Sequence, residues 1–300
     1  MEGEFVTFTC ADGVVLGGHW WPVKSAGDDG SAGATIIVNA ATGVHSRFYH
    51  HYARFLASHG YDVLTWDYRG VGLSRPDDLR GTRFRWRDWG QKDFEAALGF
   101  AQKKRPGQKI KVVGHSIGGF LPGYAAAATG IDRMLTVGAQ YAYWPDYRTG
   151  RRASLFLRWH VAMPFYTLLN GYFPGRKLGW LEDLPAGVAH EWSFRGERIE
   201  ARLPRAEQER IVETFSSVKA PILAVSVTDD DFCTPSAMRR ALSYYGSSER
   251  IKVMLKPADL GLEEIGHFDL FRAKHAPGFW LDTLLWLRDG INPWPQRRFD

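Results

Sequence analysis

The chain has 300 residues, 45% hydrophobic and 24% charged, which is enough to bury a full core in roughly one or two domains. This composition excludes a disordered or collagen-like chain. The net charge of +5 is spread over Arg83/Arg85/Arg87, Arg151/Arg152 and Arg195/Arg198/Arg202, clusters broken by aromatics or acids. That spacing reads as solvated surface and argues against a nucleic-acid partner.

From the N-terminus, Met1-Glu2-Gly3-Glu4 is acidic where a secretory leader would be basic and then apolar. Two cysteines, Cys10 and Cys233, are too few for a disulfide framework and fit a reducing compartment, so a cytoplasmic location is expected. Runs rich in β-branched residues follow at Phe5–Cys10, Val14–Trp20, Thr35–Ala40, Val63–Trp66, Ile110–Gly114, Met134–Gly138, Ile222–Val227 and Ile251–Leu255. Asp12-Gly13 between the first two predicts a hairpin. Lys24–Gly33 reads as an exposed loop. Arg47–His59 and Asp88–Lys104 carry helical apolar spacing. Strands alternating with helices predict a mostly parallel sheet covered on both faces, entered through an antiparallel hairpin. The uncharged run Val112–Ile131 is as long as a membrane span, but its five glycines and Pro122 read as strand, turn and helix.

The alternation stops after Gly138. Thirteen of the 54 residues from Tyr141 to Phe194 are aromatic, against 14% for the whole chain. Residues 141–219 are therefore read as a lid inserted into a core formed by 1–140 and 220–300. Its aromatics either pack a small core of their own or line an apolar pocket for a small-molecule substrate.

Chemistry concentrates at Gly114-His115-Ser116-Ile117-Gly118, where a predicted strand runs into G-x-S-x-G and a helix-compatible stretch, Phe120–Ala128. A serine on so sharp a turn needs small neighbours, and the Ile117 N–H then faces a developing oxyanion. Ser116 needs a base and an acid, expected later in the chain in the order acid, then histidine. Ile222–Val227 runs into Thr228-Asp229-Asp230-Asp231, which leaves the acid open between Asp230, the first choice, and Asp231. His267, in Glu264-Ile265-Gly266-His267-Phe268, is the candidate base. His275 lies at a predicted helix start, His50 and His51 lie on a helix, and His115 is the variable residue of the turn. No histidine has metal-ligand spacing and no phosphate loop is present, so neither metal nor cofactor is expected.

These segments resemble the α/β-hydrolases, above all the serine-aminopeptidase-like and lysophospholipase-like hydrolases and a bacterial group of predicted hydrolases without assigned substrates. Gly60–Ser74 resembles the family's strand followed by D-x-R-G-x-G-x-S, which implies scaffold roles for Asp67 and Arg69. The resemblance puts the nucleophile on Ser116 and the base on His267. It puts the acid nine residues after Pro221, on Asp230. Tyr172–Gly179 is similar to the bacterial group. Where relatives end the third strand with His-Gly, this chain has Asn39-Ala40-Ala41-Thr42-Gly43, so the second oxyanion donor is the N–H of Thr42 or Gly43. The expected activity is hydrolysis of a carboxylic ester with an apolar or aromatic part, through an acyl-enzyme. A thioesterase, an acyltransferase or an aminopeptidase would use the same triad, and a catalytically silent binding protein is the non-enzyme alternative.

Overall fold

The computed structural model describes residues 3–23 and 33–300. All of the expected loop Lys24–Gly33 except Gly33 lies outside the described residues. Ten strands are formed: β1 Glu4–Thr9, β2 Val15–Trp21, β3 Thr35–Asn39, β4 Asp62–Trp66, β5 Ile110–His115, β6 Ile131–Val137, β7 Tyr172–Phe173, β8 Leu184–Pro185, β9 Ile222–Val227 and β10 Arg250–Leu255. Eight of them make one sheet in the order β1-β2-β4-β3-β5-β6-β9-β10, while β7 and β8 pair separately. β2 is antiparallel to both β1 and β4, and every other neighbouring pair in the large sheet is parallel.

Each of the eight expected runs became a strand of this sheet. β3, β4, β5 and β9 are buried along their whole length, which is why they read as unbroken apolar runs. β6 starts earlier than its apolar signal because Asp132 and Arg133 are polar residues with partners. Asp132 pairs with Lys109 and Lys111, and Arg133 donates to the carbonyls of Trp286 and Leu287. The hairpin turns at Gly13, whose φ of +83° suits glycine.

Helices cover both faces. On one, His50–Ser58 meets the end of the chain through the Tyr52–Trp280 ring contact and a 2.8 Å bond between the Tyr52 and Thr283 hydroxyls. On the other, Phe215 of the helix Arg205–Ser217 packs tilted against Phe120 and edge-on to Tyr124. The stretch Phe120–Ala128 departs from its expected helix. A short α-turn, Ile117–Phe120, gives way to two 3-10 turns, Leu121–Tyr124 and Ala126–Gly130. Pro122 lacks the N–H needed to continue the ladder, and Gly123 lies so close to the Phe215 ring that a Cβ would collide with it.

The Asp67–Arg69 loop is bound into the scaffold. Asp67 accepts the N–H groups of Ser46 and Leu73, and the buried Arg69 guanidinium bonds Asp93 at 2.5 Å and Asp12 at 2.7 Å. A buried cation needs such pairing, since leaving it single costs several kcal/mol. Both cysteines are buried and free. Burial raises the Cys10 thiol to about 12 and lifts Cys233 well above its ordinary value. Among the described residues no helix is long and apolar enough to cross a membrane.

Candidate active site

The parallel strands β5 and β9 end on the same edge of the sheet, and each carries a candidate side chain just past its last residue. Ser116 follows β5 with φ +54° and ψ −125°, a left-handed conformation that costs a non-glycine residue about 1–3 kcal/mol. Its N–H donates to the Val137 carbonyl at 2.9 Å, and its carbonyl accepts from Gly119. A Cβ on Gly118 would lie 2.5 Å from the Asn39 carbonyl oxygen, so the turn closes only with glycine there.

Past β9, three consecutive aspartates have separate partners. Asp229 accepts the N–H groups of Ile265 and Gly266 at 2.7 and 2.9 Å, tying down the loop that carries His267. Asp230 Oδ2 lies 2.7 Å from His267 Nδ1, while its Oδ1 accepts from the N–H groups of Phe232 and Cys233. Asp231 faces Arg148 and Arg151 at 3.5 and 3.3 Å. The structure thus brings Asp230, and not Asp231, to the imidazole. Burial raises the Asp230 carboxyl, but His267 and the two N–H groups outweigh it and hold it below the usual carboxylate range. Gly138, at φ +61°, passes beneath the pair, and a Cβ there would lie 3.1 Å from both Asp230 Oδ2 and His267 Cε1.

Ser116 and His267 line one cavity of about 220 Å³, yet no hydrogen bond joins them in this structure. Ser116 Oγ instead accepts from Gln140 Nε2 at 3.4 Å. The Gln140 Oε1 takes the N–H of Ala142, so its amide group is turned toward the serine. Gln140 carries no motif, and only its place just after β6 marks it.

His115, read from the sequence as the variable residue of the turn, is fully buried and bridges three loops. Burial, with the His267 ring nearby, lowers its imidazole to about 3, so the ring is neutral. Donating from Nε2 to the His267 carbonyl at 2.8 Å leaves Nδ1 to accept from the Tyr49 hydroxyl at 2.7 Å. The Tyr49 oxygen in turn accepts the Ala41 N–H at 2.9 Å. One relay therefore connects the loop after β3, the serine turn and the histidine loop. The other histidines have local partners: His275 bonds Asp269, and His50 packs against His19 and Trp21.

Ile117 and Thr42 both line the cavity, whereas Gly43 does not. The Ala41 N–H is engaged by Tyr49, and the Thr42 hydroxyl accepts from Trp86 Nε1 at 3.0 Å. The outer wall comes from residues 151–192. Trp159 and Trp192 stack at 4.7 Å, Trp192 stacks on Trp86 at 5.6 Å, and Trp180 meets Trp159 edge-on. These indoles pack on one another and line the cavity at once, so the two readings of the aromatic segment coincide. Arg151 and Arg158 also border it. Among the described residues no three His, Cys, Asp or Glu side chains are grouped to hold a metal.

The model of a family described as serine aminopeptidase, S33, matches residues 30–256. The fold resembles a soluble variant of monoglyceride lipase from Saccharomyces cerevisiae bound to a substrate analogue (TM-score 0.66, 16% identity, 96% of this chain, 94% of that one). It resembles DcsB in complex with its substrate analogue (0.63, 14%, 96% and 100%). It also resembles the Pyrococcus furiosus esterase PF2001 (0.60, 17%, 96% and 91%).

Proposed function

This chain belongs to the serine aminopeptidase S33 family and is an α/β-hydrolase enzyme, and on that premise we propose that it cleaves a carboxylic ester through Ser116, His267 and Asp230. The observation that carries the reading is the 2.7 Å Asp230–His267 bond beside a strained serine in one cavity. Ser116 Oγ attacks the acyl carbonyl as His267 Nε2 takes its proton, and His267 then returns that proton to the leaving alcohol. Asp230 keeps Nδ1 protonated and balances the imidazolium. The N–H groups of Ile117 and Thr42 hold the oxyanion, each worth about 2.7–4 kcal/mol in comparable sites. Water, activated by His267, then releases the acid from the acyl-enzyme. The Ser116–His267 hydrogen bond forms when substrate displaces the serine from Gln140, since such bonds often tighten only in the complex.

Residues 141–219 act as the lid, with its indoles facing the acyl or alcohol part of the substrate. Apolar walls favour an apolar or aromatic ester. An aminopeptidase would need a free carboxylate for the substrate ammonium. Asp231, the carboxylate bordering the cavity, is already shared by Arg148 and Arg151, which favours the ester.

Intact-mass labelling with a fluorophosphonate tests the assignment. One adduct on the wild type, absent from Ser116→Ala, is expected, and an ester series then ranks acyl lengths. An unlabelled but folded wild type, or a labelled Ser116→Ala, would sink it.

A further inference from the structure

The helical run 152–170 is built from Arg152–Phe156, a wider-turned stretch Leu157–Ala162 and Met163–Asn170. Leu155, Trp159, Met163 and Thr167 point inward and are buried. The opposite face repeats the same spacing with Leu157, Val161, Phe165, Leu168 and Leu169, which are 60, 48, 55, 79 and 65% exposed. A helix apolar on both faces belongs under cover, and here one face has none. The bare stripe from Leu157 to Leu168 runs roughly 16 Å along the helix.

Charge indicates what covers it. From Tyr147 to Leu181 there are six cations, Arg148, Arg151, Arg152, Arg158, Arg176 and Lys177, and no aspartate or glutamate. That exceeds the net +5 of the entire chain, so the remainder is slightly acidic. Arg148 and Arg151 share Asp231, and Arg176 pairs with Glu182. Arg152, Arg158 and Lys177 form no ion pair among the described residues, and Arg158 lies over the Trp180 ring at 5.1 Å. Two copies meeting through this face would bring like charges together, whereas an anionic lipid surface satisfies both the stripe and its cations.

We infer that the outer face of residues 152–170 docks on an anionic lipid surface. The helix lies in the headgroup layer, with Leu157, Val161, Phe165 and Leu168 immersed and the exposed Arg158 and Lys177 at the phosphates. Leu155, Arg158 and Trp159 of the same run, with Arg151 just before it, border the cavity, so docking sets that border beside the lipid. The surface then acts as the place where the enzyme meets its apolar substrate.

The test is cosedimentation with vesicles of phosphatidylcholine alone or mixed with phosphatidylglycerol, using Ser116→Ala so that turnover plays no part. Binding to the mixed vesicles, weakened by salt, is expected. The double variant Phe165→Glu/Leu168→Glu should lose at least about tenfold in partitioning while keeping the wild-type thermal midpoint. In the Ser116 background it should also keep its rate on a water-soluble ester. Should that variant fail to fold, Arg158→Gln/Lys177→Gln supplies the second reading, with a several-fold loss expected on mixed vesicles. Absence of binding at low salt, or equal binding by the variants, overturns the inference. So does a wild-type dimer that Phe165→Glu/Leu168→Glu converts to monomer, or binding to soluble polyglutamate that ignores the apolar substitutions. Because vesicle binding is read without catalysis, its failure is distinct from failure of the triad assignment.

Discussion

The floor and the outer wall of the cavity are built by different physics. On the floor, directional bonds hold each group: two N–H groups fix Asp230, Asp229 grips the histidine loop, and His115 holds the His267 carbonyl. The wall is indole on indole, and the buried Trp159 Nε1 has no hydrogen-bond partner among the described residues. Hydrogen bonds fix positions to fractions of an ångström, whereas stacked rings fix a volume and tolerate sliding. Floor substitutions should therefore act on kcat and wall substitutions on KM.

Four substitutions sharpen that contrast. Ser116→Ala should cut kcat/KM on an aryl ester by at least about 10⁴-fold with little change in thermal midpoint, and more than a small residual activity would move the chemistry elsewhere. Gly138→Ala puts a methyl against His267 and Asp230 at a positive φ. It should cost about 1–3 kcal/mol of stability and about 100-fold in kcat, measured by denaturant titration and steady-state kinetics. An unchanged kcat would mean that the pair tolerates displacement. Trp180→Ala, in the wall, should raise KM about tenfold for an aromatic ester and leave kcat nearly alone. Equal losses in kcat and kcat/KM would show that the wall also senses the transition state.

The smallest effect is one of pH. Burial lowers His115 to about 3, so protonation favours the unfolded chain, whose histidine titrates near the ordinary 6.5. Its share of stability is complete above about pH 6.5 and declines progressively as pH falls toward 3. Asp230, held below its usual value, adds a loss of the same sign at lower pH. His115→Gln can still donate to the His267 carbonyl but does not titrate, so its thermal midpoint should depend less on pH in that window. An identical slope would assign the acid sensitivity to other groups, such as the half-buried His50, also lowered by burial.

The sheet was legible in the sequence because strands buried on both faces leave β-branched runs with no alternation to decode. The serine turn was legible because Gly114 answers to a clash with Gly118 and Gly119, a few residues away in the same motif. Asp230 could be placed near His267 through strand order and the family spacing from Pro221, but the separate duties of Asp229 and Asp231 were not readable. Which of three adjacent carboxylates meets the imidazole depends on how the chain bends after β9. Tyr49, Gln140 and the bridging role of His115 were invisible for a related reason: their partners lie 8 to 152 residues away, and no local pattern records such contacts. Pro122 is visible in the sequence, but the end of the helix after only four residues also reflects Gly123 pressed against the distant Phe215 ring.

The burial of both cysteines has a practical side. Thiols raised this far, with no exposed neighbour of their kind, present almost no thiolate to an alkylating reagent at neutral pH. The natural chain is thus a blank background for maleimide chemistry. A single cysteine placed at Leu168 would carry an environment-sensitive dye on the outer helix, and its emission would report in real time whether that face sits in water or in oil.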